Sequence, residues 1–305
     1  MEIDFEFRKE RKLGEIVQDF INLLRLVLGH FFQTIFKLAV IPLCLMLLLI
    51  YYGTTKINLT TTQAWDESLD LILIGVLALI LLLLVSMVFF GLAIEYFILL
   101  KNQRNTDFQA KDVWRTFVGH LGKYLTFLVV GIIAAAILFV PIMFVIVLLA
   151  FIPLVGSFAA GIVTSFVSVW FFCGFLFYRE GYVSATGAIP QTFSILRKKI
   201  IDYGVSSYLV SLVFQVMLLM LTLIPSLLIG LIVYNTIGFE ETFFEGFTGR
   251  MLTSIGASVL VLLYIIYAMF SVLVSGIIYE TAKEVKYGED VYEKIQALGR
   301  GGDEA

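Results

Sequence analysis

Four long stretches of this chain contain no aspartate, glutamate, lysine or arginine, and they constrain the fold more than any other feature. They run over Leu71–Ile94, Tyr124–Tyr178, Tyr203–Phe239 and Met251–Tyr279. A helix of about 20 apolar residues crosses the hydrocarbon core of a bilayer. The chain is 60% hydrophobic and 15% charged, whereas soluble domains are about half apolar and a quarter charged. We therefore expect most of its surface to face lipid.

The number of membrane spans follows from where these stretches break. Tyr124–Tyr178 is long enough for two helices, and Pro153 and Gly156 in its middle supply the residues of a turn. The apolar runs are continuous, which argues against the short alternating segments of a transmembrane β-barrel. The sequence predicts an all-α polytopic membrane protein with six transmembrane helices. The predicted spans are His30–Tyr52, Leu69–Leu100, Tyr124–Ile152, Ser157–Tyr178, Val205–Tyr234 and Met251–Tyr279.

The basic residues predict which side of the membrane each loop occupies. Of the 21 lysines and arginines, all but Lys56 and Arg250 fall on one side of the predicted spans. Lysine and arginine collect in the cytoplasmic loops of membrane proteins. We therefore expect the N- and C-termini to be cytoplasmic.

One pattern of residues recurs three times along the chain. Each even-numbered span ends with a glutamate within two residues of a tyrosine, at Glu95, Glu180 and Glu280. Apolar residues at offsets 0, 4, 7 and 11 precede the odd-numbered spans and define one face of a helix, although the copy before span 3 matches less well. We expect amphipathic helices in the cytoplasmic interface. The positions are Ile16, Phe20, Leu23 and Val27; Val113, Phe117, His120 and Tyr124; and Ile189, Phe193, Leu196 and Ile200.

The recurring pattern predicts how the chain is divided. Each copy contains two spans, so the three copies share one orientation and form parallel helical-hairpin repeats. We expect a single membrane domain over residues 1–305. Its predicted parts are a cytoplasmic N-terminus at 1–14, repeat 1 at 15–107, repeat 2 at 108–184, repeat 3 at 185–280 and a cytoplasmic tail at 281–305.

The three glutamates are candidate site residues because their positions are electrostatically unfavourable. A carboxylate at the C-terminal end of a helix faces the negative end of the helix dipole, and nearby lipid adds a desolvation cost. Basic residues of the amphipathic helices would offset both, either by pinning those helices to the bundle or by forming an ion or headgroup site. The candidate positions are Glu95, Glu180, Glu280, Arg115, Arg197 and Lys199, with Arg25, Lys37 and Lys123 as further candidate partners.

Polar residues inside the spans are few, and they offer no catalytic constellation. Gln215 and Thr222 either form hydrogen bonds between helices or line a transport pathway. The chain has two histidines, His30 and His120, and it lacks HExxH, CxxC and Gly-rich phosphate-loop motifs. We expect no enzymatic activity, no metal and no cofactor. No basic stripe with interleaved aromatic residues occurs, so we expect no nucleic-acid partner.

One segment resembles a known family. The stretch EGYVSATGAIPQTFSILRKKIIDYGVSSYLVSLV has an acidic residue after a span, then the small residues Ala185, Ala188 and Ser194, then a basic run that leads into the next span. Over roughly residues 15–285 the chain resembles a bacterial integral-membrane family that includes the membrane domain of some glycerophosphodiester phosphodiesterases and standalone proteins. The sequence shows no soluble phosphodiesterase domain, so no activity is expected to carry over. The resemblance implies a bacterial inner-membrane protein.

These features favour a non-catalytic inner-membrane scaffold or subunit of a membrane protein complex. The expected partners are the lipid bilayer and other membrane proteins, and the oligomeric state stays open. The alternative is a transporter or lipid-handling protein with a cytoplasm-facing cavity between the repeats, near Glu95, Glu180 and Glu280. The two hypotheses differ in whether these glutamates line an accessible cavity or are buried in helix contacts.

Overall fold

The computed structural model of the chain describes residues 3–56, 65–153, 155–236 and 246–288. Six of its helices are long and apolar enough to cross a membrane, so the prediction of an all-α protein with six transmembrane helices is confirmed. The helices are α1 (Leu13–Lys56), α2 (Trp65–Gln103), α3 (Ala110–Gly119), α4 (Leu121–Ala150), α5 (Val155–Glu180), α6 (Ala188–Leu196), α7 (Ile200–Thr236) and α8 (Phe247–Tyr287), with a 3-10 turn at Arg197–Lys199.

Some sequence predictions fall outside the described residues. These are residues 57–64 between the first two predicted spans, residues 237–245 between the last two predicted spans, and the predicted tail beyond residue 288. The part of the tail that is described continues α8, which ends at Tyr287.

The break between the third and fourth spans lies where proline and glycine predicted it. The helix α4 ends in a turn in which the Ile152 amide donates to the Leu149 carbonyl at 2.9 Å. The chain passes Pro153, and α5 begins at Val155. A Cβ atom at Gly156 would lie 1.8 Å from the Leu149 carbonyl oxygen. Only glycine fits this close approach, because every other residue would force the turn open.

The amphipathic segment before the first span is the beginning of the long helix α1. Ile16, Phe20, Leu23 and Val27 are all buried, as their helical spacing indicates. We expected a separate helix in the interface, but α1 runs without interruption from Leu13 to Lys56. No glycine or proline lies between Leu13 and Val27 other than Gly14, so no residue there favours a break.

The segments before the third and fifth spans form the short helices α3 and α6. In α3 the buried residues are Val113 and Phe117, as predicted. In α6 the predicted face is partly misassigned, because Phe193 is 37% exposed whereas Thr192 is buried. The ring of Phe193 packs at a tilt against Trp170 of α5, with centroids 4.8 Å apart. The interfacial location of these helices stays a prediction.

The chain contains two compact units. The first comprises Met1–Phe32, Leu92–Leu212 and Phe270–Ala305, and the second comprises Gln33–Gly91 and Val213–Met269. The helices α3 to α6 belong wholly to the first unit, which also contains the site described below. In the second unit, the rings of Phe36 and Phe89 join α1 to α2, and those of Phe214 and Tyr267 join α7 to α8. The division into three repeats stays a prediction.

Helices of the first unit pack through small residues and aromatic rings. A Cβ atom at Gly161 of α5 would lie 2.3 Å from the Tyr208 ring of α7, so glycine lets these helices approach closely. The Trp170 indole donates to the Ile189 carbonyl at 2.8 Å, which ties α5 to α6. In contrast, Tyr124 is the only buried residue of α4 within the described chain. The other residues of α4 are exposed or half-buried.

Candidate functional site

The first half of the candidate site is an ion pair between Glu95 of α2 and Arg179 of α5. Arg179 donates from Nε to Oε1 and from Nη2 to Oε2 of Glu95, each over 2.9 Å. Glu95 is fully buried, and Arg179 is buried as well. A two-pronged bond between guanidinium and carboxylate is among the strongest polar contacts in proteins. It compensates the desolvation of Glu95, which is the cost that made this position unusual in the sequence.

Residues at the start of α4 complete this half. The Tyr124 hydroxyl donates to Glu95 Oε1 at 2.9 Å, so Glu95 accepts bonds from two elements. His120 Nδ1 lies 2.9 Å from Arg179 Nη2 and 2.8 Å from the Thr116 carbonyl oxygen. Depending on the tautomer, this nitrogen accepts from Arg179 or donates to Thr116. The histidine therefore contacts the ion pair through Arg179.

The second half is built around Lys101, in the last turn of α2. Its ammonium donates to Oε1 of Glu180 and, over 2.8 Å, to Oε1 of Glu280. The other oxygen of Glu180 accepts from the Tyr279 hydroxyl at 2.6 Å, and Lys283 Nζ lies 3.4 Å from it. One lysine of α2 thus joins a glutamate of α5 to a glutamate of α8.

Glu280 is the least satisfied member of this group. Its Oε1 binds Lys101, but Oε2 is buried and has no hydrogen-bond partner among the described residues. The residue is 1% exposed. A buried oxygen without a donor carries its full desolvation penalty.

Together these residues form what we call the charge cluster. It contains three carboxylates and three cations, and it is formally neutral. Its contacts join the ends of α2, α5 and α8, which are far apart in sequence. Buried charges are tolerated when they are paired in this way. The cluster is defined as Glu95, Lys101, Arg179, Glu180, Glu280 and Lys283.

The structure brings all three predicted glutamates into this cluster but gives them different partners from those expected. Lys199 binds Glu10 at 2.6 Å instead, and this contact lowers the pKa of Glu10 below its ordinary value. Lys123 donates to the Arg179 carbonyl at 2.9 Å rather than to a carboxylate. The remaining basic candidates have exposed side chains: Arg25, Lys37, Arg115 and Arg197.

The two intramembrane candidates have different environments. The Thr222 hydroxyl donates to the Leu218 carbonyl of its own helix at 2.8 Å, which is a common local solution for threonine in a helix. The Gln215 side chain is exposed on the surface of α7. Gln215 therefore lies on the outer surface of α7 rather than in a helix contact.

The N-terminal segment contributes a buried arginine that the sequence did not single out. Arg11 is 1% exposed. It donates to Asp19 Oδ2 at 2.7 Å, to the Phe7 carbonyl at 2.9 Å and to the Thr281 hydroxyl at 3.5 Å. Ile3 and Phe7 are also buried. The alternation of apolar residues in EIDFEF was the available signal that this stretch packs against the protein.

A small cavity lies between this N-terminal segment and the end of α2. Its volume is about 320 Å³, and it is lined by Phe7, Arg8, Lys101, Asn102 and Arg104. Lys101 therefore belongs to both the charge cluster and the cavity wall. The basic residues of the cluster and cavity were missed because Lys101, Arg104 and Arg179 are unremarkable in sequence.

The described residues include no group of three or more histidine, cysteine, aspartate or glutamate side chains placed to hold a metal ion. Cys44 is exposed and Cys173 is buried, and neither forms a disulfide. The charge cluster itself forms ionic bonds between helices.

Comparison with protein-family models, with curated proteins and with solved structures yields no match. The resemblance to the membrane domain of glycerophosphodiester phosphodiesterases thus stays a prediction from the sequence.

Proposed function

We propose that this multi-pass membrane protein is a non-catalytic scaffold or subunit of a membrane protein complex. The observation that carries this proposal is the exposed amide of Gln215. We also propose, from the distribution of basic residues and the family resemblance, that it lies in a bacterial inner membrane with both termini in the cytoplasm.

The position of Gln215 is what makes its exposure informative. It lies about 22 Å along α7 from Ile200, at 1.5 Å per residue, and inside the charge-free stretch Tyr203–Phe239. Its neighbours Val213, Val216 and Met217 are exposed apolar residues. An amide with two donors and two acceptor lone pairs thus emerges in an otherwise apolar surface.

Lipid tails cannot satisfy such an amide. A polar group in hydrocarbon without a hydrogen bond is costly, and glutamine side chains in membranes bind polar groups of neighbouring helices. A helix of a partner protein packed on this face would supply the missing bonds. This supports an assembly surface on α7.

The charge cluster is a second observation that supports a scaffold or subunit function. Its carboxylates and cations bond to each other across α2, α5 and α8, which ties three helix ends together. Glu95 and Glu280 are buried rather than arranged along an open pathway. Helix ends that are tied together in this way suit a protein that offers a fixed helix surface to partner proteins.

The test is to isolate the full chain at its native expression level in mild detergent and to identify bound proteins by native mass spectrometry. We expect a stoichiometric membrane-protein partner. Gln215→Leu should lower partner recovery roughly tenfold, because an interhelical hydrogen bond of about 1–2 kcal/mol is lost. Met217→Leu is the matched control, since it lies at the same depth without a polar group. Recovery of a lone chain, or equal recovery with both variants, would contradict the proposal.

A second candidate function is transport or lipid handling. The cavity lined by Arg8, Lys101 and Arg104 favours it, because Lys101 couples the cavity to two of the three predicted glutamates. A lone chain that retains a defined small molecule or lipid in the same experiment, and loses it on Glu180→Gln and Glu280→Gln substitution, would favour this alternative over the scaffold.

A further inference from the structure

The cavity between the N-terminal segment and the end of α2 has a lining suited to an anion. Phe7 forms an apolar wall, and Arg8, Lys101, Asn102 and Arg104 form the polar part. None of these lining residues is acidic. A second cavity, of about 540 Å³, shares Arg104 but is lined by Asp4 and Glu6. Asp4 and Glu6 thus line the second cavity and not the first.

Lys101 lines the first cavity with a side chain whose position is fixed. Its ammonium is buried and held by Glu180 and Glu280. An ammonium has three donors, and these two carboxylates use two of them. The position of the charge is thereby set by bonds on the cluster side, before any ligand binds.

The backbone of Arg104 is unusual in a way that points to its side chain. Its φ is +53°, and it is the only non-glycine residue with positive φ in the described chain. It follows the last residue of α2, and its amide donates to the Leu100 carbonyl at 2.9 Å. Glycine is the favoured residue at this position after a helix. Arginine in place of glycine there puts a guanidinium beside the cavity at some cost in backbone strain.

The N-terminal segment closes one side of the cavity and is itself anchored. The Ile3 amide donates to the Arg104 carbonyl at 2.9 Å, and the Phe7 ring packs edge-on against Phe97 with centroids 5.9 Å apart. Arg11 fastens the same segment to Thr281 of α8. Phe7 and Arg8 thus reach the cavity from a segment with defined contacts.

These groups match the chemistry of a phosphate. Arginine binds phosphate oxygens through its planar fork, and lysine binds them as a point charge. Sites for small molecules have volumes of about 300–1,000 Å³, so this cavity suits one headgroup rather than a large ligand. Lys101 lies in the last turn of a helix long enough to cross a membrane. Basic pockets at that level bind lipid headgroups.

We propose that Arg8, Lys101, Asn102 and Arg104 form a binding site for a phosphate group, carried by an anionic lipid headgroup or present as free phosphate. This site is independent of the assembly surface around Gln215, so either proposal can fail without the other.

The test measures binding to the full chain in detergent by native mass spectrometry and by thermal unfolding. The lipid probes are phosphatidylglycerol and diacylglycerol with the same acyl chains, which differ by the phosphoglycerol headgroup. The soluble probe is sodium phosphate against sodium chloride at equal ionic strength. We expect retention of phosphatidylglycerol but not of diacylglycerol. Stabilisation by sodium phosphate without lipid retention would assign the site to free phosphate instead.

Two sets of variants separate the site from general charge effects. Arg8→Gln with Arg104→Gln should weaken binding roughly tenfold or more, because charged hydrogen bonds are lost. Arg115→Gln with Arg197→Gln removes the same charge from exposed residues elsewhere and should leave binding unchanged. Arg104→Gly guards against misfolding, since glycine suits the left-handed backbone. It should maintain or raise the melting temperature while binding falls.

Three results would overturn the proposal. The first is equal retention of both lipids together with no effect of sodium phosphate. The second is an equal loss of binding in the cavity variants and in the control with the exposed arginines. The third is binding at the wild-type level by both Arg104→Gly and the double variant Arg8→Gln with Arg104→Gln.

Discussion

The two halves of the charge cluster use the same sequence signature in different ways. Glu95 accepts three hydrogen bonds, from Arg179 and Tyr124. Glu280 is also buried, but only its Oε1 is bonded, to a lysine that it shares with Glu180. The comparison teaches that a glutamate at the end of a span is not one kind of site. Its role depends on how many donors the neighbouring helices bring.

Removal of Arg179 should have the largest effect on stability. Arg179→Met leaves Glu95 buried and charged without its main partner, and breaking a buried ion pair from one side costs about 3–5 kcal/mol. The free energy of unfolding in detergent, followed by circular dichroism, measures this loss. The exposed residue Arg115 gives the control, because Arg115→Met should stay within about 0.5 kcal/mol. Similar losses in both variants would show that the pair is not a stabilising contact.

Removal of Lys101 should have the second largest effect, because Glu280 loses its one donor among the described residues while Glu180 retains other partners. Lys101→Met takes one donor from Glu180 and one from Glu280, whereas Tyr279 and Lys283 continue to contact Glu180. Hydrogen bonds to charged groups contribute about 1.5–3 kcal/mol, and we expect a loss in this range. The same unfolding measurement applies. A loss equal to that of Arg179→Met would mean that the two halves are equally dependent on their cations.

Neutralising Glu95 and Glu280 one at a time compares the two halves of the charge cluster most directly. Glu280→Gln keeps an acceptor for Lys101 and removes the charge of an oxygen that has no donor among the described residues, so we expect the free energy of unfolding to fall by about 1 kcal/mol. Glu95→Gln breaks the two-pronged bond and should cost about 1.5–3 kcal/mol. Both variants are compared at one pH. If Glu280→Gln proves the more damaging of the two, the picture of a poorly satisfied Glu280 is wrong.

The ion pair between Lys199 and Glu10 lies outside the charge cluster, and its removal should cause the smallest loss of stability. Lys199→Ala should cost less than about 0.5 kcal/mol at neutral pH, because exposed ion pairs are weak. The lysine lowers the pKa of Glu10. Its contribution is therefore present above the ordinary pKa of glutamate and is lost as the pH falls through the lowered pKa. Melting temperatures of wild type and variant should converge in acid. A difference that persists there would assign the effect to something other than this pair.

Much of the fold was predictable because its signals are local. Charge-free stretches of sufficient length predict helices in lipid, and Pro153 with Gly156 predicts the break between α4 and α5. The offsets of Ile16, Phe20, Leu23 and Val27 predicted a buried face, although the helix that carries it is continuous with the span. The orientation, the repeats and the function stay predictions.

The site was predictable only in part. Glu95, Glu180 and Glu280 stood out because a carboxylate at a helix end near lipid requires an explanation. Their partners did not stand out, because Lys101 and Arg179 look like ordinary basic residues at span ends. The predicted partners lie on or near the amphipathic helices, whereas the cations that bind these glutamates belong to α2, α5 and α8. Lys199, which follows α6, contacts Glu10 instead.

The sequence by itself determined that this chain is a six-span helical membrane protein, since hydrocarbon solvates apolar side chains and requires the backbone to satisfy its own hydrogen bonds. Tertiary structure decided which charges meet. Ion pairing depends on contacts between α2, α5 and α8, and no local pattern records which of several basic residues lies within 3 Å of a carboxylate. It also decided that Arg11 is buried and Gln215 exposed, because exposure depends on which face each segment turns to its neighbours.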